Sequence, residues 1–141
     1  MEVAVIEQLL QEYAQSVRAK DVDRFVALYD DEVRVFDMWG RWSYDGAEAW
    51  RKMATEWFAS LKSEQVAVVF EDVQTVVGDE VAVADAFVTY KGLSAEGDGL
   101  RAMNNRLTWA LRKQADGAWK VVHEHSSAPA DLDTGRVQLQ R

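Results

Sequence analysis

The chain contains no cysteine, which excludes disulfides, iron–sulfur clusters, thiolate zinc sites and a cysteine nucleophile. It has a single proline, and no apolar run approaches the roughly 20 residues needed to span a bilayer. The opening MEVAVIEQLL carries Glu2 and Glu7 and lacks the basic stretch of a signal peptide, so a soluble, cytoplasmic protein is expected. Positive charge is scarce: 16 Lys and Arg face 24 Asp and Glu, for a formal net charge of −8. That balance opposes binding to phosphate backbones and anionic lipid, so neither nucleic acid nor membrane is expected as a partner. Arg101, Arg106, Arg112 and Lys113 do cluster, but with the spacing of a solvated strand face. No glycine-rich phosphate loop, dinucleotide fingerprint or serine nucleophile elbow occurs. Cofactor-independent chemistry is what these absences leave.

What is present is a composition able to fold. At 141 residues and 48% hydrophobic, the chain buries a core without a covalent or metal staple. Six tryptophans exceed the needs of such a core and point to a cavity or a subunit contact.

Apolar residues at Val3, Ile6, Leu9, Leu10, Tyr13 and Val17 follow one helical face. Asp21 is a good N-cap for a brief second helix burying Phe25, Leu28 and Tyr29, which Asp30-Asp31-Glu32 ends. Val33, Val35 and Asp37 then alternate with Arg34 and Phe36 as in a strand, so Asp37 shares a face with the valines. Residues 38–44 read as a loop carrying Trp39 and Trp42. Asp45 and Glu48 have the spacing of an acidic capping box for a third helix whose inward stripe is Trp50, Met53, Trp57 and Leu61. Four β-rich runs follow, at 66–77, 81–91, 100–112 and 119–127, with tight turns at Gly78-Asp79-Glu80 and Ala115-Asp116-Gly117. Three N-terminal helices packed on a curved antiparallel sheet, an α+β order, are the expectation. Residues 1–130 form the domain and 131–141 a polar tail that is disordered or packs on a neighbour.

This order resembles the nuclear transport factor 2-like superfamily, which includes SnoaL-like polyketide cyclases, ketosteroid isomerases and the association domain of calcium/calmodulin-dependent kinase II. The stretch Ala27-Leu28-Tyr29-Asp30-Asp31-Glu32-Val33-Arg34-Val35-Phe36-Asp37 is similar to its passage from helix 2 to strand 1. The stretch Asp116-Gly117-Ala118-Trp119-Lys120-Val121-Val122-His123-Glu124-His125-Ser126-Ser127 is similar to its last hairpin, above all to that of the kinase association domain. The resemblance covers nearly the whole chain and implies a cystatin-like cone around an apolar pocket. It leaves function open, because the superfamily includes isomerases, cyclases, dehydratases, hydrolases and non-catalytic assemblies.

The resemblance also matches Asp37 to the general base and Tyr13 to the oxyanion-stabilising phenol of a ketosteroid isomerase. The chain departs from that enzyme at Met103-Asn104-Asn105-Arg106, where no second acid stands, which argues against steroid isomerisation itself. Asn105 offers a neutral donor there and Arg106 an anion anchor. His123 and His125 lie two apart on one strand, as ligand-contacting or proton-shuttling groups, with His125 placed beside Asp37 and Tyr13 in the catalytic set. A metal pair with Asp37 or Glu124 as third ligand is the weaker alternative, and no metal is assigned. Trp119 and Val121 share the parity of the histidines and favour them on the buried face, which a bulge would reverse. Trp39, Trp42, Trp57, Phe70 and Tyr90 are candidate walls for a hydrophobic or aromatic small molecule. Two functions remain: a SnoaL-like isomerase, cyclase or dehydratase without a cofactor, or a non-catalytic ligand-binding or scaffold domain. A homodimer is expected on either.

Overall fold

The computed structural model describes residues 2–141. Helix α1 (Glu2–Ala19) and the five-residue α2 (Val22–Val26) lead into strand β1 (Tyr29–Phe36). The short β2 (Tyr44–Asp45) precedes α3 (Ala47–Leu61), and β3 (Gln65–Val77), β4 (Val81–Leu93), β5 (Gly99–Lys113) and β6 (Trp119–Ser127) follow as a meander. One six-stranded sheet results, in the order β2-β1-β6-β5-β4-β3. The helices pack on one face of this curved sheet, as an α+β order requires. One pair departs from the antiparallel expectation: β1 runs parallel to β6, because the chain crosses the sheet through α3 before returning to it.

Local chemistry explains the elements and corrects several details. On α1 the buried stripe is Ile6, Leu10, Tyr13, Ser16 and Val17, whereas Val3, in the first turn, is exposed. Asp21 caps α2, its side chain accepting from the Arg24 amide at 3.1 Å. The helix ends at Val26, so Leu28 and Tyr29 are buried from a turn and a strand, and Asp30, Asp31 and Glu32 lie within β1. The expected capping box is absent. Asp45 is held in β2 opposite Arg34, and Gly46, at φ 92°, takes the N-cap position of α3 with no side-chain bond. Its amide donates to the Val33 carbonyl at 2.7 Å, tying the helix start to β1. In β3 a register shift between Glu71 and Gln74, with Asp72 at φ 53°, marks a bulge of the kind that curls a long strand.

The core is aromatic. Phe25 is fully buried and lies within 5.2–6.1 Å, ring to ring, of Tyr13, Tyr29, Phe58 and Trp50. It thus joins all three helices to β1.

The terminal segment folds back on the sheet. Strand β6 stops at Ser127, opposite Arg106, leaving the edge of the first half of β5 free. Residues 139–141 take that edge: the Asn104 amide donates to the Leu139 carbonyl at 2.6 Å and the Arg141 amide to Asn104 Oδ1 at 2.9 Å. The Arg141 guanidinium sits 3.6 Å from the centre of the Phe87 ring. Among the described residues no helix is long and apolar enough to cross a membrane.

Truncating Phe25 to alanine is expected to cost about 3–5 kcal/mol in urea unfolding, the range for deleting a fully enclosed aromatic ring. A loss below about 1 kcal/mol would contradict its place at the junction of the helices.

Candidate functional site

A cavity of about 750 Å³ opens between α1, α3, the concave face of the sheet and the terminal segment. Trp39, Trp50, Met53, Trp57, Val66 and Met103 supply apolar wall, and Leu139 and Gln140 close one side. Its polar groups include Asp37, Glu124, Ser126, Asn105 and the hydroxyls of Tyr13 and Tyr90, with Glu56 and Arg101 also in the lining.

Asp37 lies just past the end of β1, where strand alternation carries it to the face of Val33 and Val35. Ser126 donates its hydroxyl to Asp37 Oδ1 at 3.1 Å and accepts from the Met38 amide at 3.0 Å. Burial raises the proton affinity of Asp37 above the ordinary aspartate value, and the bonds from Ser126, Trp39 and Met38 oppose the rise. Tyr13 and Tyr90 place their hydroxyls 2.9 Å apart. Burial holds both phenols above their ordinary range, so both stay protonated, and one can donate a hydrogen bond to a ligand oxygen. Asn105, 7% exposed, leaves its Oδ1 without a partner, while its Nδ2 contacts Met38 Sδ at 3.5 Å and its amide also acts on the Tyr90 phenol.

Glu124 is the group that strand parity disfavoured and the structure turns inward. In the β5–β6 pairing Leu111 faces Val121 and Ala110 faces His123, so Val122 is an extra residue on β6. Before this bulge Trp119 and Val121 point inward; after it Glu124 and Ser126 do, at 2% and 5% exposure. The Glu124 Oε1 accepts from the Tyr29 hydroxyl at 2.5 Å and from Trp109 Nε1 at 2.8 Å. Burial pushes its carboxyl from 4.5 to about 7, against those two bonds and with help from the charge of Asp37. The signal was the Val121-Val122 pair, two β-branched residues at the point where alternation slips.

The same bulge turns His123 and His125 to the outer face of the sheet, where their rings lie 4.9 Å and 5.6 Å from Phe36. His123 Nδ1 contacts the Arg34 carbonyl at 2.7 Å. Neither histidine shares a site with Asp37, so the shuttle and the metal pair both lose their geometry. Arg106 also points outward, its Nε donating to Ser127 Oγ at 3.0 Å, and it anchors nothing in the cavity. Trp42 is 97% exposed on the loop before β2 and lines no wall. Phe70 packs edge-on against Tyr13 at 5.9 Å and supports that ring without reaching the cavity. Asp37, Tyr13, Tyr90, Asn105, Trp39 and Trp57 are the expected residues that the fold brings together.

Helices covering a curled sheet around an aromatic cavity with buried acids define a cone-shaped pocket protein of cystatin-like fold. Residues 6–131 match the SnoaL-like domain, and the chain belongs to that family, within the nuclear transport factor 2-like superfamily. A nuclear transport factor 2-like protein of unknown function from Pseudomonas putida is similar at 25% identity and a TM-score of 0.80, over 96% of this chain and 92% of that one. A protein from Xanthomonas campestris, named for the calcium/calmodulin-dependent protein kinase II association domain, is 16% identical with a TM-score of 0.75, over 90% of this chain and 87% of that one. An uncharacterised protein with a cystatin-like fold from Caulobacter vibrioides is 16% identical with a TM-score of 0.71, over 88% and 87% of the two chains. No protein of curated function matches the chain.

Because the folded state holds the Glu124 proton more tightly than the unfolded chain does, stability falls as pH rises from about 4.5 to about 7. The loss from this group reaches up to about 3 kcal/mol. Thermal melts across that window are expected to flatten in Glu124→Gln, whose stability relative to the parent rises toward pH 8. An unchanged slope in the variant would contradict the assignment.

Proposed function

We propose that the cavity binds a hydrophobic carbonyl compound and catalyses its isomerisation, cyclisation or dehydration without a cofactor, with Asp37 as the base. The observation that carries this reading is the sharing of one aromatic cavity by a carboxyl of raised proton affinity and a neutral tyrosine pair. Asp37 takes a proton from the carbon next to the carbonyl. The Tyr13–Tyr90 pair donates to the oxygen as negative charge develops there, and Asn105 flanks the same end of the cavity. Ser126 and the backbone amides hold the carboxylate in place, so it can return the proton at a second carbon. Trp39 and Trp57 face a planar skeleton from the walls. A soluble protein working in the cytoplasm, with neither nucleic acid nor membrane as partner, is part of this proposal.

One observation favours a second, non-catalytic role in assembly. The outer sheet face exposes Val69, Val81 and Val83, and Phe36 lies there beside the two histidines. Homodimerisation through this face fits either role. Light scattering at micromolar concentration should therefore return the mass of two chains, and a monomer would remove both the dimer and the scaffold reading.

Catalysis is tested by exchange of α-protons for deuterium in a panel of hydrophobic aryl ketones, followed by NMR. Asp37→Asn should slow the exchange about 10³-fold and Tyr13→Phe about 10²-fold. Undiminished exchange in Asp37→Asn would eliminate Asp37 as the base.

A further inference from the structure

The charges around the cavity are one-sided. Asp37, Glu56 and Glu124 line it, and among the described residues its only basic lining residue is Arg101. Arg101 stands at the rim, its side chain 62% exposed, already bonded to Glu64 at 2.5 Å. The deep end is also rich in acceptors and poor in donors. Glu124 takes both of its hydrogen bonds on Oε1, leaving Oε2 with none, and the Asn105 Oδ1 has no partner although the residue is more than nine-tenths buried. The tyrosine pair uses one of its two protons internally. A buried carboxylate without a countercharge is costly, and a cation that also supplies N–H donors offsets that cost. Aromatic walls stabilise such a cation through their ring faces.

We propose that the ligand carries a protonated amine, seated on Glu124 and Asn105 within the aromatic walls, while its hydrophobic body fills the cavity. This rests on the reading of the cavity as a small-molecule chamber and adds the charge of the molecule it takes. A neutral ligand can donate to Glu124 Oε2 or Asn105 Oδ1 but leaves the carboxylate without a countercharge. An anionic one meets three acids and finds only the rim arginine.

The groups facing Glu124 are Tyr29 from β1, Asp37 just past its end, Tyr13 from α1 and Tyr90 from β4, with Trp109 from β5 donating to it. The tyrosines stay neutral, so the cation acts on the two carboxyls. An ammonium favours ionised Glu124, so binding below neutral pH expels a proton and weakens as pH falls through about 7.

Isothermal titration calorimetry with three probes of one skeleton, 4-(2-naphthyl)butylamine and the matching alcohol and carboxylate, tests this. At pH 8 the amine should bind at least about tenfold more tightly than the alcohol, and the carboxylate more weakly than either. At pH 6.5, titrations in buffers of different ionisation enthalpy should reveal proton release with the amine alone, a readout needing no variant. Glu124→Gln, which keeps the acceptor for Tyr29 and Trp109, should bring the amine down to the alcohol and leave alcohol binding within about twofold. Asp37→Asn should keep most of the amine preference even though it stops the proposed proton transfer, so the two ideas fail separately. An alcohol or carboxylate that binds as tightly as the amine overturns the proposal. So does an amine preference that survives Glu124→Gln.

Discussion

The extra residue at Val122 is the constraint on which the interior depends. By slipping β6 one position against β5, it lets Trp119 and Val121 complete the core on one side of the bulge and Glu124 and Ser126 enter the cavity on the other. A regular strand would place His123 and His125 inside and leave Tyr29 and Trp109 aiming their donors at nothing. The histidines pack instead with Phe36 outside, and the acid is fixed by two aromatic residues that are themselves nearly inaccessible to solvent. Tyr29 also touches Phe25 and Trp50, so the ionisation of Glu124 is coupled to the centre of the core rather than confined to a pocket wall.

This arrangement separates two carboxyl groups by environment. Asp37 sits at a strand end, partly open, with a hydroxyl and backbone amides to steady its charged form. Glu124 is enclosed, with one oxygen satisfied and the other not. Groups so differently placed need not do the same work, which is the general pattern by which one cavity holds a base and a binding or proton-donating acid together. The rest of the cavity is consistent with that division: neutral phenols where negative charge would develop, and apolar wall elsewhere.

Much of the fold was legible in the sequence because it rests on long periodic segments. The stripe of α1 and the four β-rich runs predicted elements within a few residues of those observed, and the alternation of Val33, Val35 and Asp37 placed the aspartate on the correct face. Three features escaped for physical reasons. The β6 bulge changes side-chain direction without changing composition, so parity favoured His123 and His125 over Glu124 as inward groups but left the face open to such a bulge. Trp42 follows a strand end and lies in a loop, where no period governs direction, and it points to solvent. The return of residues 139–141 onto β5 depends on β6 ending early, a matter of relative strand length that local pattern does not encode.

The most direct test of this account is an NMR titration of the side-chain carboxyl carbons of the intact protein. The inward turn of Glu124 requires one carboxyl to titrate near pH 7 and to vanish in Glu124→Gln. A set of carboxyls that all titrate at or below ordinary glutamate values would contradict an enclosed Glu124 without a countercharge, and the cavity electrostatics built on it would not stand.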